Sequence, residues 1–438
     1  MSEKINEIST YELMDLLGRP QDRYKIIDIR PIEAYNGWKL KEENRGGHLP
    51  GAKSIPLKWT QYLDWVEVLE EKNVHSDDPV IVYGYTPEEA QQMAGQLVGL
   101  GFEDVLLYNH FVDEWAVDPG CPLEQLEKYK QLVYPRWLYR LINHENPEGY
   151  EGNKYVICHA HYGYPEDYER GHIPGALSLD TNTLESTETW NRRSPEELQE
   201  TLQGLGIRFD NTVIVYGRFS SPKYEEEKFP GKSAGHLGAI RCAAILLYAG
   251  VEDVRILNGG VTSWEFDGYE LSTEANDHEP VSDFGVKIPA HPEYMIDTPE
   301  AREYLESDSK ELVSIRSWKE FIGERSGYHY IDKKGRIPGA VFGNCGSDAY
   351  HMENYRNFDH TMREYHEIAD AWREGGIVPE KKLAFYCGTG WRGSEAFMNA
   401  YLMGWPDIAV YDGGWFEWSH DPANSIETGE PVASTVKY

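Results

Sequence analysis

One hexapeptide occurs three times in this chain: Gly47-His48-Leu49-Pro50-Gly51-Ala52, Gly171-His172-Ile173-Pro174-Gly175-Ala176 and Gly335-Arg336-Ile337-Pro338-Gly339-Ala340. Such a repeat means that one supersecondary unit is used three times, and it rules out a single fold spread over the full length. The 438 residues agree, because about three domains of ordinary size fit within them. Each copy stands between two short apolar runs. Those upstream are Lys25-Ile26-Ile27-Asp28-Ile29-Arg30, Tyr155-Val156-Ile157-Cys158 and Glu311-Leu312-Val313-Ser314-Ile315-Arg316.

The downstream runs are Val80-Ile81-Val82-Tyr83-Gly84, Val213-Ile214-Val215-Tyr216-Gly217 and Leu383-Ala384-Phe385-Tyr386-Cys387. They do not alternate, which is the pattern of strands buried on both faces of a parallel sheet. Helix starts fall between the strands. Ser9 with Glu12, Thr86 with Glu89 and Ser194 with Glu197 have capping-box spacing, and Pro87, Pro195 and Pro299 take the first helical position. Strand and helix in alternation predict an α/β fold of three tandem domains, each a mainly parallel sheet flanked by helices.

Each unit closes on a tryptophan: Trp115, Trp264 and Trp418. From Gly84 and Cys387 to their tryptophans the spacing is 31 residues, and from Gly217 it is 47. The surplus reads as a loop inserted at 218–233, rich in Ser, Pro, Lys and Glu. Linkers fall near Gly120–Lys130 and in Ser272–Pro289, so the expected domains are 1–125, 126–285 and 286–438.

Lys and Arg number 42 against 74 Asp and Glu, a net charge of −32. A surface that acidic repels phosphate backbones and anionic lipid, so neither nucleic acid nor a membrane is an expected partner. The cysteines Cys121, Cys158, Cys242, Cys345 and Cys387 form no C-x-x-C pair, which argues against a zinc site and a disulfide framework. No apolar run reaches the ~18–20 residues of a membrane span, and Met1-Ser2-Glu3-Lys4 opens no signal pattern. The expected location is the cytoplasm, or outside the cell if a signal peptide has been removed.

In open parallel sheets, ligands bind at the carboxyl ends of the strands. Copy three ends its central strand in Cys387-Gly388-Thr389-Gly390-Trp391-Arg392, and a helical pattern opens at Gly393-Ser394-Glu395-Ala396-Phe397. Glycines let the loop curl so that backbone N–H groups face the Cys387 sulfur as an anion-binding nest, and the helix N-terminus adds partial positive charge. These surroundings suit a thiolate that takes up a sulfur atom as a persulfide and passes it on.

Trp391 either narrows the pocket mouth or packs under a neighbouring domain. Arg392 either attracts an anionic donor or pairs with a surface carboxylate. Trp415 and Trp418 read as hydrophobic cover, Arg316 as a buttress of the sheet end and Cys158 as core. Nothing in the sequence brings Cys345 to Cys387. His159 and His161 lack a third partner at a recognisable spacing, so no metal and no cofactor are expected.

The repeated unit is an Asp-x-Arg strand, the Gly-His-Ile-Pro-Gly-Ala turn, a strand ending in Cys, and Asp-Gly-Gly-Trp. It resembles the rhodanese domain, three times over nearly the whole chain. Ser314-Ile315-Arg316-Ser317-Trp318 and Tyr386-Cys387-Gly388-Thr389-Gly390-Trp391-Arg392 resemble the three-domain rhodaneses of the YnjE type. The resemblance implies a thiosulfate or other sulfane-sulfur transferase. The last domain would be catalytic, with the persulfide on Cys387 and substrate held by Gly388, Thr389, Gly390, Trp391 and Arg392. Phosphatases of the same fold close a Cys-x5-Arg loop, whereas four residues separate Cys387 from Arg392, a ring sized for sulfur.

Gly84 and Gly217 stand at the cysteine position of copies one and two, so those domains are expected to be non-catalytic. Copy one also has Pro87, Glu88 and Glu89 where copy three has Gly390, Trp391 and Arg392. Ser314 replaces the strand-end Asp, and Arg336 the His of the turn. Many thiosulfate-preferring members follow the cysteine with Arg or Lys, and here Gly388 and Thr389 follow, which leaves thiosulfate and related donors open. The expected reaction moves sulfane sulfur from such a small-molecule donor to a thiol or cyanide acceptor. Two alternatives stand beside it: a sulfur-relay carrier loaded by a partner protein such as a cysteine desulfurase, and a non-enzymatic binding scaffold or redox sensor.

Overall fold

A computed structural model describes residues 5–19, 24–41, 43–62, 64–219, 235–277 and 279–431. The inserted loop read at 218–233 lies, from residue 220 on, outside the described residues. Strands among the described residues form three five-stranded parallel sheets of one design. The first orders β1 (Asn6–Glu7), β5 (Val105–Tyr108), β4 (Val80–Tyr83), β2 (Lys25–Asp28) and β3 (Lys53–Ser54) from edge to edge. The second orders β6 (Leu132–Val133), β10 (Asp253–Leu257), β9 (Thr212–Tyr216), β7 (Tyr155–His161) and β8 (Leu177–Asp180). The third orders β11 (Met295–Ile296), β15 (Ile408–Tyr411), β14 (Lys382–Tyr386), β12 (Lys310–Ser314) and β13 (Val341–Phe342). Two compact units carry them: Met1–Tyr129 holds the first sheet and Lys130–Tyr438 the other two.

The hexapeptide is a turn that feeds an edge strand. Ala52 N–H donates to Leu49 O at 3.0 Å, Ala176 N–H to Ile173 O at 3.0 Å and Ala340 N–H to Ile337 O at 3.1 Å. Gly51, Gly175 and Gly339 have φ of 73°, 79° and 81°, so each turn has proline followed by the left-handed glycine of a type II turn. The second residue of each hexapeptide bridges to the chain beyond the closing tryptophan: His48 to Glu124, His172 to Ser272 and Arg336 to Glu427. The tryptophan indoles fix that same return, donating to Pro122 O, Glu270 O and Ser425 O at 2.9, 3.0 and 2.9 Å. His48 and His172 stack on Tyr35 and Tyr168 at 3.6 and 3.8 Å. Arg336, in their place, pairs with Glu427 at 3.1 Å and lies over Phe321.

The capping boxes at Ser9, Thr86 and Ser194 are formed, and Pro87 and Pro195 open their helices. Pro299 differs by one place: its helix runs Thr298–Leu305 with Asp297 as N-cap.

In every sheet the strand that carries the cysteine position is central, so Gly84, Gly217 and Cys387 occupy equivalent carboxyl ends. At Gly217 an added Cβ would lie 2.1 Å from the Gly235 carbonyl oxygen and 2.6 Å from the His236 nitrogen. Backbone fills the space a side chain would need. Gly217→Cys is therefore expected to lower stability by about 1–3 kcal/mol or more, read as a drop in unfolding midpoint, and to take up no sulfur in a Cys387→Ser background.

Candidate functional site

Cys387 directly follows β14 and is 1% exposed. Gly390, with φ 88°, turns the chain into the helix Trp391–Leu402. Ser394 N–H starts the helical ladder on Gly390 O at 2.8 Å, while the N–H groups of Thr389 to Gly393 find no backbone acceptor among the described residues. Such unpaired N–H groups at a helix start are donors that an anion can engage. Trp415 N–H donates to Cys387 O at 2.8 Å and Phe416 N–H to Gly388 O at 2.9 Å, so the first turn of the helix Gly414–His420 holds the backbone at Cys387 and Gly388.

Arg392 is buried, and both of its terminal nitrogens are engaged. Its guanidinium donates to both oxygens of Glu320 at 2.8 and 3.1 Å, to Asp348 O at 3.1 Å, to the Cys345 sulfur at 3.2 Å, and to the Tyr328 hydroxyl. The carboxylate that holds it is interior, not a surface group. Arg316 shares Glu320 at 3.4 Å, donates to Gly335 O at 2.8 Å and lies over the Trp415 ring. Burial alone would raise the Glu320 carboxyl, but Arg392 and Arg316 outweigh it and bring the pKa to about 2.

The first repeat explains this arrangement. There Asp28 pairs with Arg30 at 2.6 Å and accepts from the Tyr83 hydroxyl at 2.6 Å. Ser314 removes that carboxylate from the third repeat, and Glu320 supplies the charge for Arg316 and for Arg392 together.

Tyr328 closes the sulfur loop. Gly388 N–H donates to its hydroxyl oxygen at 3.2 Å, as Arg392 does, which leaves the phenolic proton as a donor. Tyr330 packs against Tyr328, with ring centroids 5.3 Å apart. Cys345, which the sequence could not place, shares Arg392 with this cluster, and burial pushes its thiol up to about 12. Burial does the same to Cys158, also to about 12, inside β7.

Trp391 faces the second repeat. Its indole donates to both oxygens of Glu185 at 2.8 and 3.0 Å and its ring meets Tyr162 edge-on. Glu185 accepts from Arg241 at 3.1 Å, and Arg241 also donates to Asp412, which Arg192 pairs at 2.9 Å. Glu185, Arg241 and Asp412 are fully buried. Arg241 and Arg192 together hold the Asp412 carboxyl low against burial, whereas burial pushes Glu185 up to about 7 with Arg241 opposing.

Glu320, Tyr328, Tyr330, Glu185 and Arg241 were not singled out from the sequence. Only Glu320 carried a local signal, its capping-box spacing to Ser317, which the structure forms.

His159 packs against Tyr168 and Tyr216, and His161 bonds the Ser178 hydroxyl at 2.8 Å. Among the described residues His110, Asp113 and Glu114 bring ligand atoms within 4.8 Å of one another, in the first unit. No helix among them is long and apolar enough to cross a membrane.

Three parallel sheets share the same turn and closing tryptophan, and the third places a cysteine at the carboxyl end of its central strand. The rhodanese-like domain model matches residues 9–118, 163–267 and 297–421, and the chain belongs to that family. Thiosulfate sulfurtransferase YnjE of Escherichia coli is 40% identical over 416 residues, 94% of this chain and 90% of that protein. Sulfur carrier protein TtuD of Thermus thermophilus is 28% identical over 280 residues, 60% of this chain and 87% of that one. Among solved structures, wild-type EanB superposes with a TM-score of 0.95 at 52% identity, covering 98% of this chain and 99% of its own. Other EanB structures hold hercynine, or ergothioneine with a cysteine persulfide in a tetrahedral intermediate state; the latter has a TM-score of 0.94 at 52% identity, over 97% of this chain and 100% of its own.

Proposed function

We propose that residues 286–438 form a sulfurtransferase domain that carries sulfane sulfur as a Cys387 persulfide and delivers it to the imidazole of hercynine or a close analogue. The observation that carries this reading is a match of spacing. In the EanB structures the altered tyrosine precedes the persulfide cysteine by 59 residues and the altered threonine follows it by two. Tyr328 and Thr389 stand at those distances from Cys387, and Tyr328 bonds the loop directly.

In the proposed cycle the Cys387 thiolate attacks the outer sulfur of thiosulfate or a related sulfane donor. The donor's S–S bond breaks and its remainder leaves with the electron pair. The outer persulfide sulfur then bonds to imidazole C2, making that carbon tetrahedral. Loss of the C2 proton forms the C=S bond as the persulfide bond breaks, and its electron pair returns to the Cys387 sulfur. Hercynine leaves as ergothioneine, and atoms and charge balance without an added oxidant. Free N–H groups of Thr389 to Gly393 support the anionic sulfur, and the Tyr328 proton serves the imidazole nitrogen.

Product analysis tests the reading with hercynine as acceptor and thiosulfate or polysulfide as donor. Wild type is expected to form ergothioneine, and Tyr328→Phe to load sulfur normally but transfer it about 10²-fold more slowly. Turnover of thiosulfate with cyanide but none with hercynine would replace this reading with the YnjE-like transfer. Loading only from a protein donor would favour the relay.

A further inference from the structure

The second repeat has no nucleophile, yet one of its hairpins reaches the site of the third. Glu185 and Arg192 pair as an antiparallel bridge, and Ser186 N–H donates to Asn191 O at 2.8 Å. Trp190 sits at the tip with φ of 59°, a left-handed conformation that bulky residues avoid and that persists only where the surroundings impose it. The surroundings are specific. Arg241 donates to Trp190 O at 3.1 Å, Asn191 to the Glu417 carboxylate at 2.7 Å and Arg192 to Asp412 at 2.9 Å.

The Trp190 ring stacks on Tyr330, with centroids 4.5 Å apart, and meets Phe416 edge-on at 5.1 Å. Tyr330 packs against Tyr328, with centroids 5.3 Å apart, and the Tyr328 hydroxyl accepts from Gly388 N–H next to Cys387. Trp190, Tyr330 and Phe416 are each half-buried. Elsewhere arginines lie over aromatic rings, as Arg316 does over Trp415, but among the described residues no Lys or Arg covers these three.

We propose that Trp190, with Tyr330 and Phe416, binds the quaternary ammonium group of the sulfur acceptor and makes Trp190 a specificity-determining residue. This rests on the hercynine reading. A trimethylated nitrogen offers no hydrogen bond, so ring faces are the groups that recognise it, and the net charge of −32 favours a cation at this mouth. The strained backbone at Trp190 and the buried Arg241 network serve to present that ring. The second repeat thus keeps a role in the third repeat's chemistry without a nucleophile of its own.

The test compares kcat/KM for hercynine and for histidine, which has the same imidazole without the three methyl groups. Trp190→Gly deletes the ring and suits the left-handed backbone, and sulfur loading of Cys387 by mass reports that the variant is folded. Trp190→Gly is expected to lower the preference for hercynine over histidine at least tenfold, through KM, while Trp190→Phe retains most of it. An unchanged preference, or an equal loss for both acceptors, would overturn the proposal and leave the hercynine reading standing. Wild type that loads sulfur but never converts hercynine would overturn both.

Discussion

Replacing Cys387 with serine is expected to remove sulfur loading altogether. The nest, the helix start and Arg392 remain in such a variant, but a hydroxyl cannot hold a sulfane sulfur, so turnover should fall on the order of 10⁴-fold or more. Intact-protein mass after treatment with a sulfane donor reads this directly. Wild type is expected to gain the mass of one sulfur atom and to lose it to cyanide, and the variant to gain none. Cys121→Ser, Cys158→Ser and Cys242→Ser should load as wild type does. Cys121, Cys158 and Cys242 lie buried, and the central carboxyl end of the third sheet belongs to Cys387. A silent Cys121, Cys158 or Cys242 variant would mean that sulfur travels by another route.

The second large effect is on stability. Glu320 is the buried carboxylate between Arg392 and Arg316, and removing one partner of such a cluster strands the other charges in the interior. Glu320→Gln is expected to cost about 3–5 kcal/mol, seen as an earlier midpoint in chemical denaturation, and to loosen the sulfur loop through Arg392.

The pH dependence has a defined sign. A free glutamate titrates near pH 4.3 and Glu320 in the fold at about 2, so the folded state binds its proton less readily. Its stabilisation is fully present above about pH 4, amounts to about 3 kcal/mol, and is lost as pH falls through 2. Wild type should therefore lose stability steeply across that window, and Glu320→Gln should show a flatter curve there. A wild-type curve no steeper than the variant's would remove the charge assignment.

The features legible in the sequence are those written in local chemistry. Pro followed by Gly makes the hexapeptide turn, Ser or Thr three residues ahead of Glu makes the helix caps, and an unalternating apolar run makes a central strand. All three act within a few residues, so each repeat announces itself. The Cys387 loop was legible for the same reason, since glycines, cysteine and helix start are contiguous.

The partners of that loop were not legible. Arg392 meets Glu320 across 72 positions, Arg241 meets Asp412 across 171, and Trp391 meets Glu185 across 206. No periodicity links such pairs; the packing of the helix Gly235–Ala249 against Trp391–Leu402, together with the Glu185–Arg192 hairpin, brings the second repeat's charges to the third repeat's loop. Tyr328 lies in a stretch without strand or helix pattern, and it reaches the loop because the chain folds back over Gly388.

A single turnover tests the transfer of sulfur from Cys387 to hercynine. Wild-type protein is loaded with isotopically labelled sulfur from a sulfane donor, freed of the donor, and mixed with hercynine. The protein is expected to lose one labelled sulfur and ergothioneine to appear carrying it, in equal amount. A persulfide on Cys387 that persists in the presence of hercynine, yet discharges at once to cyanide, would contradict that transfer.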